Sequence, residues 1–230
     1  MSTHAHGIDS ASAGGPEGIP SRPAVPAWRL IATLALAGAT AGLLIVSVFQ
    51  WAQPRIQANQ AEVLRAAVVE VLKGPERTER LFLYEGKLTS DVPPVSDTLD
   101  VERVFLGFDA AGTPVGFAVT GAEPGFQDLV HVIFGYNPVT HRLLGMKVLD
   151  NKETPGLGDA IVKDEAFVGE FDGVATPVVG VKKGAGRGEP GEVDMITGAT
   201  ISSRTVISVI NHRIEALQPL LAAYLKGSGS

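Results

Sequence analysis

A long apolar run near the amino end constrains this chain more than any other feature of its sequence. Residues 30–49 are 20 consecutive positions without a charged side chain, and Thr33, Thr40 and Ser47 supply their only hydroxyl groups. As an α-helix the run would be about 30 Å long, which is the thickness of the hydrocarbon core of a bilayer. The sequence therefore predicts one transmembrane helix.

Two other interpretations of this run fit the sequence less well. One is a cleaved signal peptide, because Ala39-Thr40-Ala41 has the small-residue spacing of a cleavage site. However, 29 residues precede the run, and Leu43-Leu44-Ile45-Val46 continues it past that site. The other is a buried core helix, which fits poorly because the run is apolar on every side. Trp28 and Trp51 bracket the run as interfacial aromatic residues do, so an uncleaved span is favoured.

The rest of the chain divides by composition. Residues 1–27 are rich in Gly, Ser, Ala and Pro and have almost no large apolar side chains, which predicts a disordered tail. The final Gly-Ser-Gly-Ser resembles a linker. The predicted division is a tail at 1–27, a transmembrane helix at 28–52, a helical connection at 53–80, a folded domain at 81–226 and a linker at 227–230.

The region after the span shows both helical and strand-like patterns. Apolar residues recur at helical spacing over 57–72 and again over 202–221, where Ser202 or Ser203 could cap the helix. Strand-like runs lie at 81–84, 101–108, 115–120, 129–136, 143–149 and 174–181. The runs at 129–136 and 143–149 predict an antiparallel hairpin with a turn at Asn137-Pro138. The predicted fold class is α+β, a mostly antiparallel sheet with packed helices.

Charge and cysteine content exclude several classes of function. The chain has 25 acidic and 19 basic side chains, a net charge of −6, and no basic patch of the kind that binds nucleic acid. It has no cysteine, which excludes disulfides, thiolate zinc sites, cysteine-ligated iron–sulfur clusters and c-type haem attachment. Its five histidines lack the spacing of metal ligands. We therefore predict no nucleic-acid partner and no metal site, so any electrons would be carried by an organic cofactor.

Small residues and hydroxyl groups precede the last predicted helix, in the segment Asp194-Met195-Ile196-Thr197-Gly198-Ala199-Thr200. The first turn of a helix offers free N–H groups and a partial positive charge, and both favour an anion. Small residues let a ligand approach the backbone closely, so a phosphate near Thr200 is physically reasonable. The alternative is the commoner one, in which Thr197 and Thr200 only help to cap the helix.

Two glycine-containing loops are less informative on their own. Asn151-Lys152-Glu153-Thr154-Pro155-Gly156-Leu157-Gly158 follows a strand directly, and its Pro-Gly pair marks a sharp turn. Alone, this pattern is typical of a tight surface loop. Gly184-Ala185-Gly186-Arg187-Gly188 matches neither a phosphate loop nor the dinucleotide fingerprint, and we interpret it as a flexible loop.

Together these segments resemble one family over roughly residues 28–222. The chain is similar to the FMN-binding G-type subunit of Rnf-type electron transport complexes, and to the C-type subunit of the sodium-pumping NADH:quinone oxidoreductase. The most specific part is the Glu-Thr-Pro-Gly-Leu-Gly run followed later by Thr-Gly-Ala-Thr. Besides the span, the matching residues are Gly135-Tyr136, Leu144-Gly145-Met146-Lys147-Val148, Glu153 to Gly158, Asp194, Thr197 to Thr200 and Ser202-Ser203.

The resemblance implies a covalent cofactor. In that family the last threonine of the Thr-Gly-Ala-Thr motif carries FMN through a phosphoester bond, and here that residue is Thr200. A separate flavin transferase makes the bond from FAD and recognises the motif with its aspartate, here Asp194. No residue is expected to be catalytic, since Thr200 is an attachment point. The residues expected to line the flavin pocket are Glu153, Thr154, Leu157, Thr197, Gly198 and Ala199.

The resemblance also implies a setting. The chain is expected to be an FMN-binding electron-transfer subunit, not catalytic alone, of an ion-translocating ferredoxin/NAD oxidoreductase complex, with other membrane subunits, the transferase and membrane lipid as partners. Two arginines lie on each side of the span, so charge does not decide its orientation. The family's soluble domain lies on the periplasmic side of the bacterial inner membrane. The alternatives are an FMN-binding sensor or accessory protein outside such a complex, and a structural module without a cofactor.

Overall fold

The computed structural model describes residues 26–92, 101–150, 153, 156 and 158–228. The chain separates into two compact units, one up to Pro54 and the other from Arg55 onward. Thr154 and Leu157, which were expected to line the flavin pocket, lie outside the described residues, as does nearly all of the tail predicted at 1–27.

The first unit contains the predicted span. Helix α1, Ala27–Val71, includes an 18-residue window with a mean hydropathy of 2.1, none of which is buried. The three hydroxyl groups of the run donate hydrogen bonds of 2.7–2.9 Å to backbone carbonyls three or four residues earlier in the same helix. The polar side chains are thereby satisfied internally, as a hydrocarbon environment requires. This helix is long and apolar enough to cross a membrane, and the helical pattern predicted over 57–72 continues it.

The second unit is built on an antiparallel sheet. Its strands are β1 (Arg77–Tyr84), β2 (Lys87–Thr89), β3 (Arg103–Phe108), β4 (Pro114–Pro124), β5 (Leu129–Asn137) and β6 (Arg142–Asp150). They lie in the order β2-β1-β3-β4-β5-β6, so every neighbouring pair along the sheet is antiparallel. Phe134 of β5 lies opposite Met146 of β6, which confirms the predicted hairpin.

The remaining elements follow β6 in the chain. They are α2 (Ala160–Lys163), α3 (Glu165–Gly169), β7 (Val179–Lys182), β8 (Glu192–Met195) and α4 (Thr200–Ser228). Strands β7 and β8 pair in parallel and form a separate two-stranded sheet. Helix α4 extends two residues into the stretch that resembles a linker.

Both faces of the large sheet are covered. Successive residues of a strand point to opposite faces. Accordingly, Phe117 and Phe134 pack in the larger core, which includes the apolar stripe of α4, whereas their neighbours Ala118 and Ile133 pack in a smaller core with the last turns of α1. The predicted α+β class, with a mostly antiparallel sheet and packed helices, is confirmed.

Polar contacts fix α4 along the sheet. The Arg213 Nε donates a 3.1 Å hydrogen bond to the Thr120 carbonyl, and its guanidinium group pairs with Glu102. Burial lowers the pKa of this guanidinium group from its ordinary value. Nearer the start of the helix, the Thr205 hydroxyl donates to the Pro124 carbonyl at 3.2 Å. The helix is thus held in register with β4, and the position of its first turn is set.

The strand predicted at 174–181 is wrong over its first half, because β7 begins only at Val179. Pro177 lacks an N–H group and cannot donate to a ladder. The N–H group and the carbonyl of Val178 instead bond to the Asn211 side-chain amide of α4, each at 2.8 Å. At Val178, side-chain pairing from the last helix therefore replaces strand pairing, while residues 174–176 form only isolated backbone bonds, to His141, Leu143 and Pro190.

The predicted helix cap is also wrong. Helix α4 begins at Thr200, so Ser202 and Ser203 lie inside its first turn. Ser203 nevertheless holds the entry to the helix, since its hydroxyl accepts from the Ile196 N–H at 3.2 Å and donates to the Ala199 carbonyl at 2.9 Å.

Gly135 lies where the end of α1 closely approaches the sheet. A Cβ atom at this position would collide with the Val71 carbonyl at the end of α1. Because the obstacle is backbone, it cannot rotate away. We expect Gly135→Ala to lower the free energy of unfolding by roughly 1–3 kcal/mol, the cost of overpacking a tight core. Thermal unfolding of the detergent-solubilised chain measures this.

The matched control is Gly169→Ala, since a Cβ at Gly169 meets no atom within 4 Å. Gly169 lies in helix α3, where alanine is preferred to glycine, so this control should be neutral or slightly stabilising. Equal unfolding temperatures for the two variants would contradict the close contact between α1 and β5.

Candidate functional site

The hydroxyl group of Thr200 is exposed at the first residue of α4. It lies 3.5 Å from the Ile196 carbonyl oxygen, a distance at which a hydroxyl hydrogen bond is weak. Little is lost if the oxygen forms a different bond. The buried Ala199 methyl group lies immediately before it and fixes the backbone from which Thr200 projects.

The backbone at the mouth of α4 suits a phosphate. Gly198 has φ of +89°, a conformation that an L-residue with a side chain rarely adopts, and a Cβ built on it would meet no atom within 4 Å. There is open space beside the chain at this point. The first N–H groups of α4 have no partner within the helix, and 29 residues of aligned peptide dipoles lie behind them. The segment therefore favours an anion at Thr200.

A cavity of about 300 Å³ opens beside Thr200. It brings together the two motifs that are far apart in sequence, because Glu153 and Gly158 line it from one side and the first turn of α4 from the other. Most of its lining is apolar, and two of its apolar side chains, Phe126 and Ile201, are well exposed. The residues that line it are Phe126, Glu153, Gly158, Gly198, Ala199, Thr200, Ile201 and Ser202.

Glu153 is the one charged residue among the described residues that line this cavity, and it is buried, with 5% of its surface exposed. Its Oε1 accepts hydrogen bonds from the N–H groups of Phe126 at 3.0 Å and Gln127 at 3.2 Å. Its Oε2 accepts from the Ser202 hydroxyl at 3.0 Å. The carboxylate therefore joins the β4–β5 turn to the first turn of α4.

A second carboxylate shapes the loop on the other side of Gly158. The Asp159 Oδ1 accepts from the Gly156 N–H at 2.7 Å, and its other oxygen pairs with Lys163 one turn later. The hydrogen bond from Lys163 holds the pKa of the Asp159 carboxyl below its ordinary value. Asp159 thus stays charged while it closes the turn that presents Gly158 to the cavity.

Asp194 lies at a different place, in β8 beside the glycine-rich stretch. Its Oδ2 accepts from the Gly184 N–H at 3.0 Å, and its own N–H donates to the Glu170 carboxylate. The neighbouring Glu192 accepts from three further N–H groups of the same loop, those of Arg187, Gly188 and Glu189. The glycine-rich stretch is a loop, as predicted, but the carboxylates of Asp194 and Glu192 hold its backbone by hydrogen bonds.

The structure thus separates the residues named from the sequence into two groups. Glu153, Gly198, Ala199 and Thr200 lie around one cavity, whereas Asp194 lies in β8 and Thr197 is exposed outside the lining. The sequence pattern did not indicate Phe126, Gly158, Ile201 and Ser202 as cavity residues. Gly158 and Ser202 lie inside the two motifs, but nothing in the sequence around Phe126 indicated that it lines a cavity.

The size and lining of the cavity suit the ring and the phosphate of FMN. The cavity volume lies at the lower end of the range for small-molecule sites. Its apolar walls suit a planar aromatic ring, and the helix mouth with an exposed hydroxyl suits a phosphate. Among the described residues no cluster of His, Cys, Asp and Glu could hold a metal ion.

Comparison with known proteins gives the same indication. Residues 125–215 match a family model described as an FMN-binding domain, and these residues include every described part of the cavity. The chain is 32% identical over 176 residues to the G-type subunit of the ion-translocating oxidoreductase complex of Cereibacter sphaeroides, covering 72% of this chain and 76% of that one. It is 27% identical over 187 residues to the protein of the same name from Methanosarcina acetivorans, covering 81% and 92%.

Solved structures share the fold. NqrC of Shewanella oneidensis superposes with a TM-score of 0.62 at 20% identity, covering 72% of this chain and 99% of that one. The corresponding Na⁺-translocating NADH-quinone reductase protein from Parabacteroides distasonis gives 0.55 at 20% identity, covering 73% and 96%. These structures show the fold, and the 32% identity to the Cereibacter sphaeroides protein shows the family: the chain belongs to the G-type subunits of ion-translocating oxidoreductase complexes.

Proposed function

We propose that this chain is a membrane-anchored flavoprotein subunit that carries FMN on Thr200 and relays electrons within an ion-translocating oxidoreductase complex. The observation that carries the proposal is the position of the Thr200 hydroxyl, which is exposed at the mouth of α4 and at the edge of a cavity lined by both motifs. The relatives from ion-translocating oxidoreductase complexes and the match to an FMN-binding domain support it.

The attachment is a phosphoryl transfer from FAD. The Thr200 oxygen forms a bond to the phosphorus of the FMN half, the bond between that phosphorus and the bridging oxygen of the pyrophosphate breaks, and AMP leaves with the electron pair. The threonine hydroxyl gives up its proton to solvent, and no oxidant or reductant is consumed. A separate flavin transferase carries out this step, and the Asp194 strand is part of what it recognises.

Several cavity residues would then have a physical task. The partial positive charge at the start of α4 would stabilise the phosphoester, and Gly198 and Ala199 would let it lie close to the backbone. Phe126 and Ile201 would give apolar contact to the ring. FMN supplies one- and two-electron transfer, which the side chains of this protein cannot provide.

The anchor explains why a covalent cofactor is useful. The apolar part of α1 keeps the second unit of the chain, from here on the FMN-binding unit, at the membrane, where the other subunits of the complex lie. The phosphoester keeps the flavin attached at any concentration of free FMN. We infer that the FMN-binding unit lies on the extracytoplasmic side of the inner membrane, as the resemblance implies.

Removal of the hydroxyl tests the attachment site. Thr200→Ala, co-expressed with a flavin transferase, should lose covalent flavin completely because no oxygen remains to form the phosphoester. Fluorescence of the band on a denaturing gel and intact mass measure this. The wild-type chain should be heavier than its own unmodified sequence mass by one FMN less one water. Thr113→Ala, at an exposed position that is distant in sequence from Thr200 and does not line the cavity, is the control and should keep the flavin. Flavin retained in Thr200→Ala would rule out Thr200.

Isolation of the chain tests its membership of a complex. Purified from its own membranes in a mild detergent, the chain should bring multi-span membrane subunits and iron–sulfur subunits with it in fixed ratio, identified by mass spectrometry. An unrelated single-span protein purified in parallel is the control. A flavin-loaded chain recovered alone would contradict the complex and favour a sensor or accessory role.

The absence of cysteine allows a direct test of sidedness. A single cysteine at Thr113→Cys should react with a membrane-impermeant maleimide in intact cells, because the FMN-binding unit is expected outside. The partner variant Ser10→Cys, on the other side of the span, should react only after permeabilisation. The reverse pattern would place the FMN-binding unit in the cytoplasm.

A further inference from the structure

The buried carboxylate of Glu153 joins three segments of the chain. Glu153 itself follows β6, the N–H groups of Phe126 and Gln127 belong to the turn between β4 and β5, and Ser202 belongs to α4. These three bonds have lengths of 3.0–3.2 Å, which is ordinary for hydrogen bonds in proteins. No two of the segments are adjacent in sequence. The hydrogen bonds of the carboxylate therefore connect parts of the chain that are far apart in sequence.

Two glycines make room for this carboxylate. A Cβ at Gly125 would collide with the Glu153 Oε1, and a Cβ at Gly158 would collide with its Oε2. The backbone therefore closes on the carboxylate from two sides. Such a fit indicates that the position of Glu153 is built into the fold.

The hydrogen bonds of Glu153 also indicate its charge state. The Phe126 and Gln127 N–H groups can only donate, and the Ser202 hydroxyl donates here. An ionised carboxylate accepts at both oxygens, and hydrogen bonds to a charged group are the stronger kind. The arrangement therefore suits a negative charge that is shielded from water beside the cavity.

We propose that Glu153 is a positioning residue that holds the Phe126 turn and Ser202 as walls of the cavity, and that its negative charge lowers the reduction potential of a flavin held there. This proposal rests on the proposed function. Both carboxylate oxygens already serve the protein, so Glu153 acts on the flavin through the walls and through its electric field.

The direction of the electrostatic effect follows from the charges. Reduction adds negative charge to the flavin ring system, and a nearby carboxylate disfavours that added charge. The effect is larger in a poorly hydrated site than at an exposed surface. Charge near the ring is one of the means by which a protein tunes a flavin.

We call the three hydrogen bonds of Glu153 to Phe126, Gln127 and Ser202 the clamp. Two substitutions separate the effect of the clamp from the effect of the charge. Glu153→Gln keeps the clamp, because the amide oxygen can accept the two N–H bonds and the amide nitrogen can donate to Ser202, but it removes the charge. Glu153→Ala removes both. If Glu153→Ala does not fold, Ser202→Ala takes its place, because it removes one of the three contacts and leaves the carboxylate.

The clamp is measured in the full chain expressed without a flavin transferase. Amide hydrogen exchange at Phe126 and Gln127 should be faster than wild type by about tenfold in Glu153→Ala, the effect of losing one hydrogen bond, and close to wild type in Glu153→Gln. Unchanged protection in Glu153→Ala would overturn the clamp. In Ser202→Ala the accelerated exchange should appear at the Ser203 N–H, which bonds to the Ala199 carbonyl in the first turn of α4, and its absence there would likewise count against the clamp.

The charge is measured by spectroelectrochemical titration of the flavin-loaded chain. Glu153→Gln should raise the midpoint potential. The matched control is Glu192→Gln, since Glu192 also accepts backbone N–H bonds but lies outside the cavity of Thr200. Equal potentials for the two variants would overturn the electrostatic role. If wild type carries no flavin on Thr200, the proposed function is refuted. The exchange measurement, which uses the chain without flavin, would still show whether the clamp exists.

Discussion

The packing of α4 against the antiparallel sheet is the constraint on which the candidate site depends. The helix buries an apolar stripe against β4 and β5, and Arg213 and Thr205 fix it along β4 by hydrogen bonds to strand carbonyls. Because the far turns of α4 are held in this way, its first turn has a defined position. Thr200 is located by contacts made up to 13 residues further along the helix, and a local loop alone would not hold it.

Close backbone approaches complete this architecture. The sheet admits the end of α1 only because Gly135 has no side chain, and the region of the cavity admits a buried carboxylate only because Gly125 and Gly158 have none. Small residues in this chain thus serve two purposes. Some allow layers to pack, and others leave space for a charged group or a ligand.

Much of the fold could be predicted because it depends on local patterns. The apolar run, the hairpin at β5 and β6, and the stripe of the last helix each follow from periodicity. The motif predicts Thr200 as the attachment point, and that role stays a prediction. The failures have long-range causes. Residues 174–178 have strand-like side chains, but Asn211 takes the backbone bonds of Val178. Phe126 lines the cavity because Glu153 holds its turn, and no pattern near Phe126 indicates a partner 27 residues away.

The exposure of Thr200 bears on the order of folding and the proposed attachment of the cofactor. Thr200 is exposed at the first residue of α4, and the Ser203 hydroxyl fixes the entry to that helix through Ile196 and Ala199. An enzyme can therefore reach the hydroxyl from solvent without unwinding the helix. For the attachment proposed on Thr200, this means that the folded chain itself can serve as the substrate of the transferase, and membrane insertion can precede modification.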